Sequence, residues 1–216
     1  MPRKKIVFII VEGPSDQEAL GAVLSNLYPS DQIYLHIVHG DITTARNITA
    51  DKIVAEIGKM VKQYAAQNHF KKSDFKEIVH ITDTDGAFIS AENVESIRKR
   101  NEQKSSNLNK LLGCSRIWDM PYHVFYMSCN LDHVLHNKLG STDEEKEQDA
   151  YAFAKKYHRA TKDFCDFMIH SDFSVVENYD YRSSWNYIKE ELHSLERHSN
   201  FGLYLQENEE NSDKLL

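Results

Sequence analysis

The sequence predicts an α/β fold: a largely parallel sheet flanked by helices, followed by a helical C-terminal extension. Three observations predict it. Apolar runs rich in β-branched and aromatic residues recur at Ile6–Val11, Ile33–His39, Glu77–Thr82 and Tyr122–Met127. Stretches with helical spacing separate them, and strand–helix alternation is the mark of parallel strands joined by crossovers. From about residue 143 the pattern changes, with 143–170 and 183–198 reading as helical and no strong strand after them. The boundary therefore falls between an α/β unit over 1–140 and an extension over 141–216 that ends in a polar, acidic tail.

Each element follows from its residues. Ile6–Val11 is continuous in apolar character, as expected of a strand buried on both faces. Gly13-Pro14-Ser15 makes a turn, and Asp16 to Tyr28 reads as a helix with Ala19, Leu20, Val23, Leu24 and Leu27 on one face. Ser15 and Glu18 fit a capping box at its start. After the second strand, 40–44 is a loop. Residues 50–67 carry Ile53, Ile57, Met60, Val61 and Tyr64 at helical spacing. The third strand runs into Asp83-Thr84-Asp85-Gly86. Residues 91–112 are polar and include a helix. The fourth strand is followed by a helix over Leu131–Leu139.

Bulk properties narrow the function classes. With 41% hydrophobic and 27% charged residues among 216, the chain reads as a soluble globular protein. No apolar run approaches the roughly 18 residues of a membrane span. Residues 1–11 resemble a leader only superficially, because Glu12 ends a short apolar run and no small-residue cleavage site follows. Cys114, Cys129 and Cys165 are odd in number and widely spaced, which points to a reduced, cytoplasmic setting. The net charge of −7 is uneven: residues 1–140 hold 17 Lys/Arg against 16 Asp/Glu, and residues 141–216 hold 9 against 17. Acidity of this kind argues against broad nonspecific DNA binding but leaves room for a local site.

Two motifs stand where an open α/β sheet places its ligands, at the carboxyl ends of strands. Val11-Glu12-Gly13-Pro14-Ser15-Asp16 follows the first strand, and Asp83-Thr84-Asp85-Gly86 follows the third. Residues two apart in extended backbone point the same way, so Asp83 and Asp85 share one space. If the first and third strands are neighbours, Glu12 faces them across one strand spacing of about 5 Å. Three carboxylates with few cations among them repel, and a hard divalent cation such as Mg²⁺ relieves that repulsion through oxygen ligands. Taken singly, Asp-x-Asp-Gly is also a common turn, and Glu-Gly-Pro-Ser-Asp a capped strand-to-helix junction. Their joint placement at equivalent strand ends is what favours chemistry.

The run Ile-Val-Phe-Ile-Ile-Val-Glu-Gly-Pro-Ser-Asp-Gln-Glu-Ala-Leu resembles the first motif of the Toprim superfamily, and Ile78-Val79-His80-Ile81-Thr82-Asp83-Thr84-Asp85-Gly86 resembles its Asp-x-Asp motif. The resemblance covers roughly residues 4–135. It implies a Toprim-like (Rossmann-like) catalytic domain over 1–140 that hydrolyses phosphodiesters of DNA or RNA with Mg²⁺ or Mn²⁺. It implies Glu12 as metal ligand or general acid/base, and Asp83 and Asp85 as metal ligands. Asp16 stands where OLD-like nucleases of this superfamily often carry a second acid, which makes a second metal an expectation. Asp132, after the fourth strand, is either an auxiliary ligand or a helix-start carboxylate that favours the dipole. The sequence carries no Walker motif, zinc-binding segment or topoisomerase tyrosine domain. That favours a stand-alone nuclease, for example in phage defence. The alternative is an effector or regulatory subunit that works with a partner ATPase.

Weaker signals remain. Arg98, Lys99, Arg100 and Lys104, with Lys110, form the densest basic stretch. Together with Arg46 and Thr43-Thr44 in the loop after the second strand, they are candidates for phosphate contact, or plain solvated charge. His133 and His136 share a helix face but lack the further ligands zinc needs. Tyr179, Tyr181 and Trp185 read as packing residues of the C-terminal helices.

Overall fold

A computed structural model describes residues 4–28, 33–89, 95–190 and 192–213. In chain order the elements are β1 (Lys5–Val11), α1 (Pro14–Leu24), β2 (Ile33–His39), α2 (Ile53–Gln67), β3 (Phe75–Asp83), α3 (Glu95–Leu112), β4 (Arg116–Ile117), β5 (Met120–Ser128), α4 (Leu131–His136), α5 (Asp143–Tyr157), α6 (Thr161–His170), α7 (Tyr181–Ile188), β6 (His198–Ser199) and α8 (Phe201–Asp213). Short 3₁₀ turns lie at Lys72–Asp74 and His193–Leu195.

The sheet has the order β2-β1-β3-β5-β4, with β6 also on β5. β1 pairs parallel with β2 and with β3, and β3 pairs parallel with β5. β4 and β6 run antiparallel to β5, one at each of its ends. The protein is therefore α/β with a mostly parallel mixed sheet, an arrangement compatible with a Rossmann-like fold. The two short strands cap an edge of β5 that would otherwise present unpaired N–H and C=O groups.

Period-2 alternation sorts the central strands into two cores. Val7, Ile9 and Val11 of β1, Val79 and Ile81 of β3, and Phe125 and Met127 of β5 face α1, α5, α6 and α8. Ile6, Phe8, Ile10, Ile78, Tyr122, Val124 and Tyr126 face α2, α3 and α7. Because both faces are covered, the strands read as unbroken apolar runs. Each large side chain buried here contributes about 1.5–3 kcal/mol relative to exposure. Residues beyond 140 are integral to this packing. Ala150, Phe153, Phe164, Met168, Phe173, Phe201 and Leu205 join β1, β3 and β5 in one cluster, and Trp185 and Ile188 join the other.

Several boundaries differ from the sequence reading. α1 starts at Pro14 rather than Asp16, and its N-cap is Gly13. The reciprocal contact comes from Asp16, whose carboxylate accepts the Gly13 N–H at 2.8 Å, so the expected Ser15/Glu18 box does not form. α4 stops at His136 because Asn137 turns left-handed (φ 57°), a conformation Asn tolerates. The 143–170 run breaks at His158–Ala160 into α5 and α6. The 183–198 run is α7, then a 3₁₀ turn, then β6. Residues 90–94 lie outside the described residues, so only 95–112 of the polar 91–112 segment is assigned, and it is one helix.

Candidate active site

Parallel register brings the two motifs together. Ile10 of β1 is level with His80 of β3, so two residues on Glu12 lies beside Thr82, and the Thr82 hydroxyl donates to Glu12 Oε1. Thr43 Oγ1, in the loop after β2, stands 3.3 Å from the same oxygen and 3.1 Å from Asp41 Oδ1. Glu12, Asp83 and Asp85 therefore meet on one edge of the sheet, as the adjacency of β1 and β3 requires.

The Asp-x-Asp loop is held rigidly. Thr84 N–H donates to the Met127 carbonyl at 3.0 Å, and Asp85 N–H to the Cys129 carbonyl at 2.8 Å. Thr84 Oγ1 donates to the Ser194 carbonyl at 2.8 Å, and Ser128 Oγ to the His193 carbonyl at 3.2 Å. The 193–195 turn thus backs the loop. Asp85 (φ 48°) and Gly86 (φ 70°) both take left-handed backbone, which suits Asp and Gly and few other residues. A Cβ on Gly86 would come within 3.0 Å of Leu195.

The decisive residue is one placed differently in the sequence reading. Lys104, expected among the phosphate-contacting surface cations, is 1% exposed and sits inside the carboxylate cluster. Its ammonium donates to Glu12 Oε1 at 3.0 Å, Glu12 Oε2 at 3.1 Å and Asp85 Oδ2 at 2.7 Å. Arg100 donates to the same Asp85 oxygen at 2.8 Å. The three carboxylates therefore do not stand without cations: the chain supplies two of its own.

α3 brings Lys104 there. Its buried stripe is Asn101, Lys104, Asn107, Leu108 and Leu111. Asn101 binds the Ile89 carbonyl at 3.2 Å. Gln103 binds the carbonyls of Ala45 and Ile48 at 3.0 and 2.9 Å. Asn107 binds those of Thr43 and Ile48 at 2.8 and 3.2 Å. The helix's polar side chains thus satisfy the backbone of the loop after β2. The 3-3 spacing of Asn101, Lys104 and Asn107, continued by Leu108 and Leu111, was the available signal for an inward face. Composition hid it.

Electrostatics show what two cations leave unneutralised. Burial pushes the Glu12 carboxyl up to about 7; Lys104 and the Thr82 hydroxyl pull it back, and Asp41 and Asp85 push it further. Asp83 is raised well above the ordinary carboxylate value, first by burial and then by Glu12 and Asp16. Among the described residues Asp83 makes no ion pair; its Oδ1 accepts the Leu131 N–H at 3.0 Å. For Lys104, burial works against the charge, but Glu12, Asp85 and Asp83 outweigh it and hold the ammonium above its ordinary value.

Asp16 lies at the margin. Burial raises it to about 6, and Asp132 adds to the rise; Asp132 is itself raised by burial. Both are half-buried and near one another, with the Asp16 carboxylate engaged at the Gly13 N–H. His133 Nδ1 accepts the Cys129 N–H at 3.2 Å, and His136 stands edge-on to Phe153, so both histidines have structural contacts. Arg98, Lys99, Arg100, Lys110 and Arg46 are exposed, with Lys99 paired to Glu95. Tyr181 and Trp185 pack against β5 through the Val124 carbonyl.

The donor set suits a hard cation in type, since it is all carboxylate oxygen and Asp83 has no cation of the chain paired to it among the described residues. Among the described residues, however, no group of three or more Asp, Glu, His or Cys side chains is arranged to hold a metal ion. Comparison of the chain with family models, with curated proteins and with solved structures finds no match. No described helix is long and apolar enough to cross a membrane.

Proposed function

We propose that this chain is a Toprim-type nuclease that hydrolyses phosphodiesters of DNA or RNA with Mg²⁺ or Mn²⁺. One observation carries the reading: Glu12 at the end of β1 and Asp83 and Asp85 at the end of the adjacent β3 converge on one sheet edge. Glu12, Asp83 and Asp85 would hold the metal, which supplies charge neutralisation at phosphate and a more acidic bound water. The chain's own residues support the rest. A Glu12 carboxyl near 7 is matched to taking or giving a proton at neutral pH. The lysine and arginine at Asp85 keep positive charge where a phosphate would approach. Arg98, Lys99 and Arg46 are exposed and would meet phosphates farther along a strand. Asp16 and Asp132 are the candidates for a second, weaker cation position.

The test is cleavage of end-labelled single- and double-stranded DNA and RNA by the purified chain, in Mg²⁺, Mn²⁺ or EDTA, beside Glu12→Gln. Metal-dependent cleavage that the variant loses supports the reading. Cleavage in EDTA overturns it. Silence of the isolated chain, relieved by adding a partner ATPase, would favour an effector subunit instead.

A further inference from the structure

We propose that Lys104 is the resident cation of the carboxylate cluster, and that a divalent ion reaches the position between Glu12 and Asp85 only by displacing its ammonium. The inference rests on the metal site of the nuclease reading and adds a control on its loading.

Geometry carries it. The ammonium touches both Glu12 oxygens and one Asp85 oxygen within 2.7–3.1 Å, which is the place a cation bridging the two strand ends would take. The lysine is 1% exposed, and its partners are 9% and 20% exposed. A metal ion and an ammonium cannot share those oxygens, because like charges a few ångströms apart in a poorly solvated site repel strongly. The helix is not free to withdraw as a body, since Asn101, Gln103 and Asn107, on both sides of Lys104 in sequence, tie it by five hydrogen bonds to the four backbone carbonyls of Ile89, Ala45, Ile48 and Thr43. The flexible four-carbon stem of the lysine is the part that can move. The consequence is a site folded and charge-compensated without metal, whose metal affinity is set by the cost of moving one side chain. Asp83, which Lys104 does not contact, is the cluster carboxyl that no cation of the chain occupies among the described residues.

The test is Mn²⁺ binding by titration calorimetry at pH 7.5 to the parent and to Lys104→Met, which keeps the apolar stem and removes the charge. Displacement predicts that Lys104→Met binds Mn²⁺ about tenfold or more tightly than the parent, since one adjacent positive charge is gone. Its melting temperature should also rise more on Mn²⁺ addition. Equal, measurable Mn²⁺ binding by both, or weaker binding by the variant, overturns the displacement and leaves the nuclease reading standing. No Mn²⁺ binding by either overturns both. Should Lys104→Met fail to fold, the parent decides by amine acylation read by mass spectrometry. Lys104 should be protected in EDTA and become modified in saturating Mn²⁺. Protection in both states overturns the proposal.

Discussion

Asp83 ends β3 and Asp85 follows two residues later, yet Lys104 and Arg100 both bind Asp85 while Asp83, among the described residues, takes the Leu131 N–H at 3.0 Å and no cation. Their replacement should therefore have opposite effects on the metal-free protein. Asp83→Asn removes a buried carboxyl whose pKa is raised above its ordinary 3.8 by burial and by Glu12 and Asp16. An acid raised on folding costs stability as pH rises above its unfolded value, because the folded state holds the proton longer. In EDTA, Asp83→Asn should be more stable than the parent at pH 8 and approach it near pH 4. Asp85→Asn keeps the left-handed turn but strips Lys104 of a partner, and should cost about 1–3 kcal/mol. Denaturant melts at both pH values check this; equal effects of the two changes would contradict the charge distribution described.

The basic face of α3 divides by function. Arg98 and Lys99 are exposed, whereas Arg100 also serves Asp85. Arg98→Ala with Lys99→Ala should weaken nucleic-acid binding and flatten its salt dependence by roughly one or two units of slope. Melting temperature in EDTA should stay unchanged. Fluorescence anisotropy at several salt concentrations measures the slope, and an unaltered slope would show that these side chains do not meet phosphate.

His80 lies on the same face of the sheet as Glu12, fully buried, with Nδ1 2.9 Å from the Tyr122 hydroxyl. Burial, aided by Lys104, lowers its pKa to about 3. A base depressed on folding contributes stability above its unfolded value near 6.5, and loses it as pH falls toward the folded value. His80 should therefore stay neutral from pH 8 to pH 5, with its share of stability fading below about 6.5 by at most roughly 1.4 kcal/mol per pH unit. Ring ¹⁵N shifts in NMR measure this directly; a midpoint near 6.5 would refute it.

The C-terminal helices should matter to the core as a whole. A Cβ on Gly202 would lie 2.7 Å from the Met168 carbonyl and 2.7 Å from Val176, whereas one on Gly140 meets nothing within 4 Å. Gly202→Ala should cost about 1–3 kcal/mol through overpacking. Gly140→Ala should be neutral or slightly stabilising. Thermal melts of the two variants decide, and a harmless Gly202→Ala would show that α8 packs less tightly than described.

The sequence by itself determined the strands of the central sheet, because a strand covered on both faces must be apolar without interruption, and Ile6–Val11 and Tyr122–Met127 satisfy that locally. It also determined that Glu12 and the Asp83/Asp85 pair sit at strand ends, since each acid terminates such a run. Only the tertiary structure decided that β1 and β3 are neighbours, which converts two separate motifs into one cluster. It alone also placed Lys104, and the reason is physical. A lysine in a polar helix is ordinarily solvated, and its burial becomes favourable only when two carboxylates from distant strands compensate the lost hydration. The short strands β4 and β6 were equally illegible, since two residues carry no periodicity and exist only because β5 offers an edge. Residues 143–170 and 183–198 read as helical from their own pattern, whereas α8 (Phe201–Asp213) runs through a stretch that reads as a polar tail. That their apolar faces complete the core over β1, β3 and β5 follows from long-range packing, which no local pattern specifies.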